Sequence, residues 1–228
     1  MRKHLLPHIL IISFIFLLVP TAYVASYAGE PVLLEHYRQA VRKNPDDARA
    51  YFDLGTVYGR SGKWKEAREA WQQAIRIDPD FVEAHSNLGL AYYLSGNYKK
   101  AIESCKQALR IDPDYAEAYM NLGSVYTDSG KHEEAIAAYK QAIKINPDEV
   151  EAHYNLGYAY ANSGKAKKAT KAFKQAIRIN PNHARAHYGL GTAYLGSNAR
   201  KHALEQYGIL KRLDTALANK LIYFINKY

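Results

Sequence analysis

The chain has 228 residues, 31 Lys and Arg against 22 Asp and Glu, a formal net charge of +9, and 48% apolar residues that include 20 Tyr. That apolar content excludes a solvated, disordered polyelectrolyte and is enough for a folded domain of ordinary size. The single cysteine, Cys105, excludes an intramolecular disulfide.

Residues 1–28 stand apart from everything that follows. Arg2, Lys3 and His4 precede an apolar run from Ile9 to Val19, Pro20 breaks it, and Ser26-Tyr27-Ala28 places small residues before Gly29. This is the three-part pattern of a secretory signal peptide. The expectation is cleavage after Ala28, leaving a periplasmic or secreted protein of 200 residues that has lost Arg2 and Lys3 and carries +7. The alternative is a retained N-terminal inner-membrane anchor, with Leu5 to Val24 stretched to span. No Cys lies near the cleavage site, which argues against a lipid-anchored form.

From residue 29 onward the chain is periodic. Residues 29–47 hold half a unit, with Leu33, Tyr37, Ala40 and Pro45 in phase with five units of 34 residues: 48–81, 82–115, 116–149, 150–183 and 184–217. Pro45, Pro79, Pro113, Pro147 and Pro181 keep that spacing without insertion. Leu-Gly recurs from Leu54-Gly55 to Leu190-Gly191, a Tyr follows at 58, 92, 126, 160 and 194, and an Ala at 67, 101, 135, 169 and 203. Self-similarity at this period marks a stacked array whose units cannot bury their apolar faces alone.

Inside a unit the apolar residues fall at steps of three and four, as in Leu54, Val57, Tyr58 and in Ala67, Ala70, Trp71, Ala74. Two amphipathic helices per unit follow. Gly62, Gly96, Gly130 and Gly164 end the first helix in the left-handed conformation, and Asn198 is the next most tolerant residue for that place. The second helix stops before Asp-Pro or Asn-Pro. The next opens on a capping box, Asp80…Glu83, Asp114…Glu117 and Asp148…Glu151, of which Asp46…Arg49 and Asn182…Arg185 keep half. After the fifth unit Thr215 replaces Pro, and Leu217, Leu221, Phe224 and Ile225 form a helical stripe. Residues 218–228 continue a capping helix that covers the last apolar face.

These coordinated positions resemble the tetratricopeptide repeat over residues 48–217. With Ala48 as position 1, the aromatic position 24 reads Trp71, Cys105, Tyr139, Phe173 and Tyr207. The resemblance implies an all-α, right-handed α-solenoid of helix-turn-helix repeats, a bacterial exported scaffold for protein binding and envelope complex assembly. It also implies a concave groove lined from the first helices by positions 2, 5, 6, 9, 12 and 13. Position 6 then reads Asp53, Asn87, Asn121, Asn155 and Gly189. The three asparagines resemble the ladder in the superhelical repeat domain of O-linked N-acetylglucosamine transferase, whose amides grip the backbone of an extended peptide. An amide supplies both donor and acceptor, which suits that role. Asparagine here equally suits bracing of neighbouring helices, and both readings stay open. Phe52, Tyr93, Met120, Tyr154, Tyr158 and Tyr188 complete the candidate peptide-binding set, with Thr56, Ser124, Thr127 and Asn162 between them. Large amphipathic rings on a rigid scaffold make interface hot spots. The two-carboxylate clamp known in this family needs Lys and Arg where Phe52, Glu117 and Asn121 stand.

No enzyme signature accompanies the repeats: there is no Gly-rich phosphate loop, G-x-S-x-G or H-E-x-x-H. His85, His153 and His187 share position 4 of different repeats, which lie about 10 Å apart when adjacent, too far to share an ion. They read as structural aromatics, and no metal or cofactor is expected. Cys105 reads as a small core hydrophobe. Basic residues cluster on second helices or in the turns before them, among them Lys165, Lys167, Lys168, Lys171, Lys174 and Arg178. They read as a solubilising outer face, or, as the alternative function, as an envelope adaptor surface for anionic lipid or polysaccharide. The expected partner is a protein or peptide, with membrane proximity and no nucleic acid, and the chain itself a monomer or weakly self-associating. Expressed with its leader, the mature protein should begin at Gly29 in the soluble periplasmic fraction. Intact Met1 in a carbonate-washed membrane pellet would establish the anchor.

Overall fold

The computed structural model of the chain describes residues 30–227, so the leader reading of residues 1–28 lies outside the described residues. Twelve α-helices make up the regular structure among them. They are α1 (Glu30–Lys43), α2 (Ala48–Arg60), α3 (Trp64–Ile77), α4 (Val82–Leu94), α5 (Tyr98–Ile111) and α6 (Ala116–Asp128). After these come α7 (His132–Ile145), α8 (Val150–Asn162), α9 (Ala166–Ile179), α10 (Ala184–Leu195), α11 (Arg200–Leu213) and α12 (Thr215–Lys227). The fold is an all-α, right-handed α-solenoid of helix-turn-helix repeats. It divides at Pro79 into two compact units, α1–α3 and α4–α12.

The turn inside each repeat is a Schellman motif. In the first, the Lys63 N–H donates to the Tyr58 carbonyl and the Gly62 N–H to that of Gly59, at 2.9 and 3.0 Å. The geometry needs a left-handed residue, and Gly62 supplies it at φ 73°. Asn198 takes the same role in the last repeat at φ 56°.

The turn between repeats corrects the capping boxes. Helices α4, α6 and α8 are capped by Phe81, Tyr115 and Glu149, one residue later than Asp80, Asp114 and Asp148. The half boxes shift likewise, to Asp47 at α2 and His183 at α10. The reason is the proline turn. The Tyr115 N–H donates to the Asp112 carbonyl at 3.3 Å and the Asp114 N–H to the Asp112 carboxylate at 2.9 Å. Pro113 and Asp114 are therefore the two central residues of a β-turn, and helical conformation starts only after it. Glu83, Glu117 and Glu151 fall at the second helical position, where they favour the helix dipole but cannot close the box.

Packing within a repeat turns on one contact. A Cβ added at Gly123 would lie 2.4 Å from the Tyr139 ring, at Gly55 2.6 Å from Trp71, and at Gly157 2.7 Å from Phe173. At Gly89 the opposing atom is the Cys105 sulfur, so even the smallest of these side chains leaves no room. The paired helices are held this close by Ala67, Ala101, Ala135, Ala169 and Ala203, all fully buried. In the last repeat Gly191 faces Leu221 of α12 in place of Tyr207.

In the C-terminal unit each second helix packs on the first helix of the next repeat. The first helices α4, α6, α8 and α10, followed by α12, also pack on one another in sequence. Successive second helices have no such row among the described residues. The closer-set layer is the inner one, so first helices form the concave side of this unit and second helices its convex side.

Helix α12 closes the array. Ala218, Leu221 and Ile225 are buried with Ala203 and Leu210 of α11, with Tyr188, Tyr194 and Leu195 of α10 packed around them. Leu221→Ala should cost about 2–5 kcal/mol and lower the melting temperature. Tyr223→Ala, at a ring 62% exposed, should change stability by less than about 0.5 kcal/mol. Identical thermal unfolding of Leu221→Ala and the parent would contradict the docking of α12.

Candidate functional site

On the concave side of the C-terminal unit the three position-6 amides are not equivalent. The Asn121 side-chain NH2 donates to the carbonyl and hydroxyl oxygens of Ser86, at 3.3 and 3.1 Å. Ser86 is buried on α4, so this amide ties α6 to α4 and keeps only its carbonyl oxygen in reserve. Asn87 and Asn155 are half-buried and have no side-chain hydrogen bond among the described residues. The row ends at Gly189, where a Cβ would stand 2.6 Å from the Phe173 ring. An asparagine does not fit there.

The aromatic candidates divide in the same way. Tyr93 donates its hydroxyl to the Asp128 carboxylate at 2.6 Å and stacks on Tyr98. Burial and that hydrogen bond push its pKa above the ordinary phenol value. Tyr154 lies against Phe173 and carries the Arg185 guanidinium 5.0 Å above its ring. Arg185 is held in turn by Glu151 at 2.8 Å, which also accepts from His183 at 3.0 Å. The other His183 nitrogen accepts the Ala186 N–H as the α10 cap, which fixes its tautomer. Met120 is partly buried against the core of α7–α10. Tyr158 alone projects, at 49% exposure. Phe52 belongs to the N-terminal unit, beneath the Arg49 guanidinium. Of the polar residues between them, Ser124 and Thr127 contact the Tyr139 hydroxyl and bond to their own helix.

Tyr188 belongs to a feature the sequence pattern did not show. With Thr192, Leu195, Gly196 and Asn198 of α10 and its turn, and Phe224 of α12, it lines a cavity of about 400 Å³. The capping helix thus supplies a wall of the concave side. Burial raises the pKa of both Tyr188 and Tyr154, so these hydroxyls stay protonated. The site offers neutral amides, phenols and an apolar recess, which is the chemistry of recognition.

Burial pushes the Cys105 thiol up to about 12, far from a reactive thiolate. The described residues hold no group of three or more His, Cys, Asp or Glu placed to bind a metal. Two of the position-4 histidines hold the proline turns: His153 Nε2 lies 2.8 Å from the Pro147 carbonyl and His187 Nε2 2.9 Å from that of Pro181. Among the described residues no helix is long and apolar enough to cross a membrane.

Residues 32–218 match the family described as the cilia and flagella-associated protein 70 C-terminal domain. A crystal structure of MamA is 31% identical, covering 77% of this chain and 98% of that one at a TM-score of 0.62. YrrB, described as a TPR protein with an unusual peptide-binding site, is 24% identical over 82% of this chain and 97% of its own, TM-score 0.65. A thermophilic TPR protein of Thermus thermophilus is also 24% identical, over 78% and 99%, TM-score 0.62. The last two likenesses speak for the fold alone. No curated protein matches the chain.

The amides can be told apart by stability. Asn121→Ala strands the buried Ser86 acceptors and should cost about 1–3 kcal/mol. Asn155→Ala removes no internal bond and should leave the melting temperature in place. Equal melting of the two variants would mean that the Ser86 contact contributes nothing.

Proposed function

We propose that this chain, which belongs to the tetratricopeptide-repeat family of the cilia and flagella-associated protein 70 C-terminal domain, is a non-catalytic scaffold that binds extended segments of partner proteins. The ligand lies along the concave side of the C-terminal unit. Its backbone pairs with the Asn87 and Asn155 amides and the Asn121 carbonyl oxygen. The observation that carries this reading is that two half-buried amides in one row, Asn87 and Asn155, have no internal partner among the described residues. A peptide unit has one donor and one acceptor and satisfies an amide whatever its side chain.

Side chains are then selected by the rings. Tyr158 is exposed enough to meet a ligand directly. The recess between Tyr188 and Phe224 takes one bulky apolar residue, being of a size common among ligand sites. Tyr93, Tyr154 and Met120 act chiefly by shaping this surface, since their own contacts already hold them. A peptide-binding site in YrrB, on the same fold, is in keeping with a peptide ligand. Under this proposal the scaffold works in the periplasm, in the assembly of envelope proteins, a reading supported by the leader-like pattern of residues 1–28.

The test begins with a peptide array probed with the mature protein, followed by calorimetry on a hit. Asn155→Ala should weaken binding about tenfold or more, as expected from about 1–3 kcal/mol for a hydrogen bond lost in a dry site. Phe224→Ala should discriminate among peptides by their bulky residue. Affinity should change little between low and high salt, since the contacts are neutral. Unchanged affinity in both Asn155→Ala and Asn87→Ala would remove the reading's support.

A further inference from the structure

The convex side of the C-terminal unit carries a second feature. Because second helices have no row of their own, α7 and α9 leave a cavity of about 420 Å³ between them whose floor is the outer side of α8. Leu156 and Tyr160 of α8 supply the apolar floor and Ile143 the foot of the α7 wall, while Lys140 stands on the α7 wall and Lys168 and Lys171 on the α9 wall. No carboxylate lines the cavity, and α9 contains no Asp or Glu over its whole length. Lys165 nearby is paired with Glu133. By contrast Lys140 and Lys171 have no ion pair among the described residues, and Lys168, its ammonium 5.8 Å from the centre of the Tyr160 ring, feels Glu133 only as a nearby charge without a direct bridge. Three exposed lysines thus stand on opposite walls around an apolar floor on which Leu156 and Tyr160 are largely buried and Ile143 is half-buried. Like charges facing across a groove repel, and an anionic ligand relieves that repulsion.

We propose that this groove is a docking site for an acidic peptide segment in which one bulky apolar residue is flanked on both sides by Asp or Glu. The apolar side chain enters over Ile143, Leu156 and Tyr160, and the flanking carboxylates meet Lys140 on one wall and Lys168 and Lys171 on the other. The two-walled placement of charge is what selects a peptide. A lipid carries its charge at one end of its apolar part, and a bilayer presents a flat charged surface that does not enter a recess. Together with the concave site, this groove gives the scaffold two peptide-binding faces of opposite character, one neutral and one cationic.

The probe is a synthetic peptide with one Trp between two Glu residues on each side, compared with its Gln-for-Glu counterpart and with vesicles of phosphatidylglycerol and phosphatidylcholine. Trp fluorescence at low ionic strength should report saturable binding of the acidic peptide and none of the Gln peptide. The double variant Lys140→Gln/Lys171→Gln should weaken it about tenfold, from two charge pairs lost. Lys167→Gln, which removes one charge from α9 outside the groove as Lys171→Gln does inside it, should weaken it by less than about twofold and by less than Lys171→Gln alone. Asn155→Ala should leave it unchanged, which separates this site from the concave one. The proposal is overturned if the acidic peptide does not bind, if Lys167→Gln acts as strongly as Lys171→Gln alone, or if Asn155→Ala abolishes binding. Lysine-dependent capture of the vesicles without binding of the peptide overturns it in favour of an anionic membrane surface.

Discussion

The architecture depends on a missing side chain. In the first four repeats the glycine after the recurrent Leu lies under the side chain at position 24, so closely that one added carbon meets it at 2.4–2.7 Å. That approach sets the distance between the two helices of a repeat, and with fully buried alanines on the second helix it leaves no freedom in their crossing. Everything downstream inherits this spacing. In the C-terminal unit the first helices stand close enough to pack on one another, the second helices do not, and a concave and a convex side result.

The two sides then differ in how they use polar groups. On the concave side the amide row is divided between structure and availability: Asn121 is committed to Ser86, whereas Asn87 and Asn155 are not. Buried amides left unpaired are costly, which is why a half-exposed row that awaits a partner is informative. On the convex side the splay of α7 and α9 exposes apolar floor beneath lysines. The same departure from close packing that gives the C-terminal unit its concave and convex sides also makes its outer recess.

Much of this was legible in the sequence. The proline spacing, the glycine at the end of each first helix and the apolar stripe of α12 are local signals, and local signals survive because each depends on one or two residues. The capping boxes misled because Pro113 and Asp114 are consumed by a turn whose hydrogen bonds cannot be seen in the letters; the cap moves one residue on. The Asn121–Ser86 bond was hidden for a different reason. It joins residues 35 apart, and the equivalent partner of Asn155 is Met120, whose side chain offers no comparable acceptor. The identical letters Asn at position 6 thus mean different things, decided by the residue one repeat earlier. The recess at Tyr188 was also missed, since Phe224 read as a core contact of the cap and proved to be a wall.

The central claim is that amides of the first helices hold a ligand by its backbone. It is tested most directly by replacing single amide bonds of a bound peptide with esters, which delete one donor and keep every side chain, and measuring affinity for each. The account predicts that esters opposite the asparagine row weaken binding about tenfold, consistent with about 1–3 kcal/mol per hydrogen bond lost in a dry site, and that Asn155→Ala removes the effect of one of them. A ligand that binds equally well with every amide replaced would contradict it.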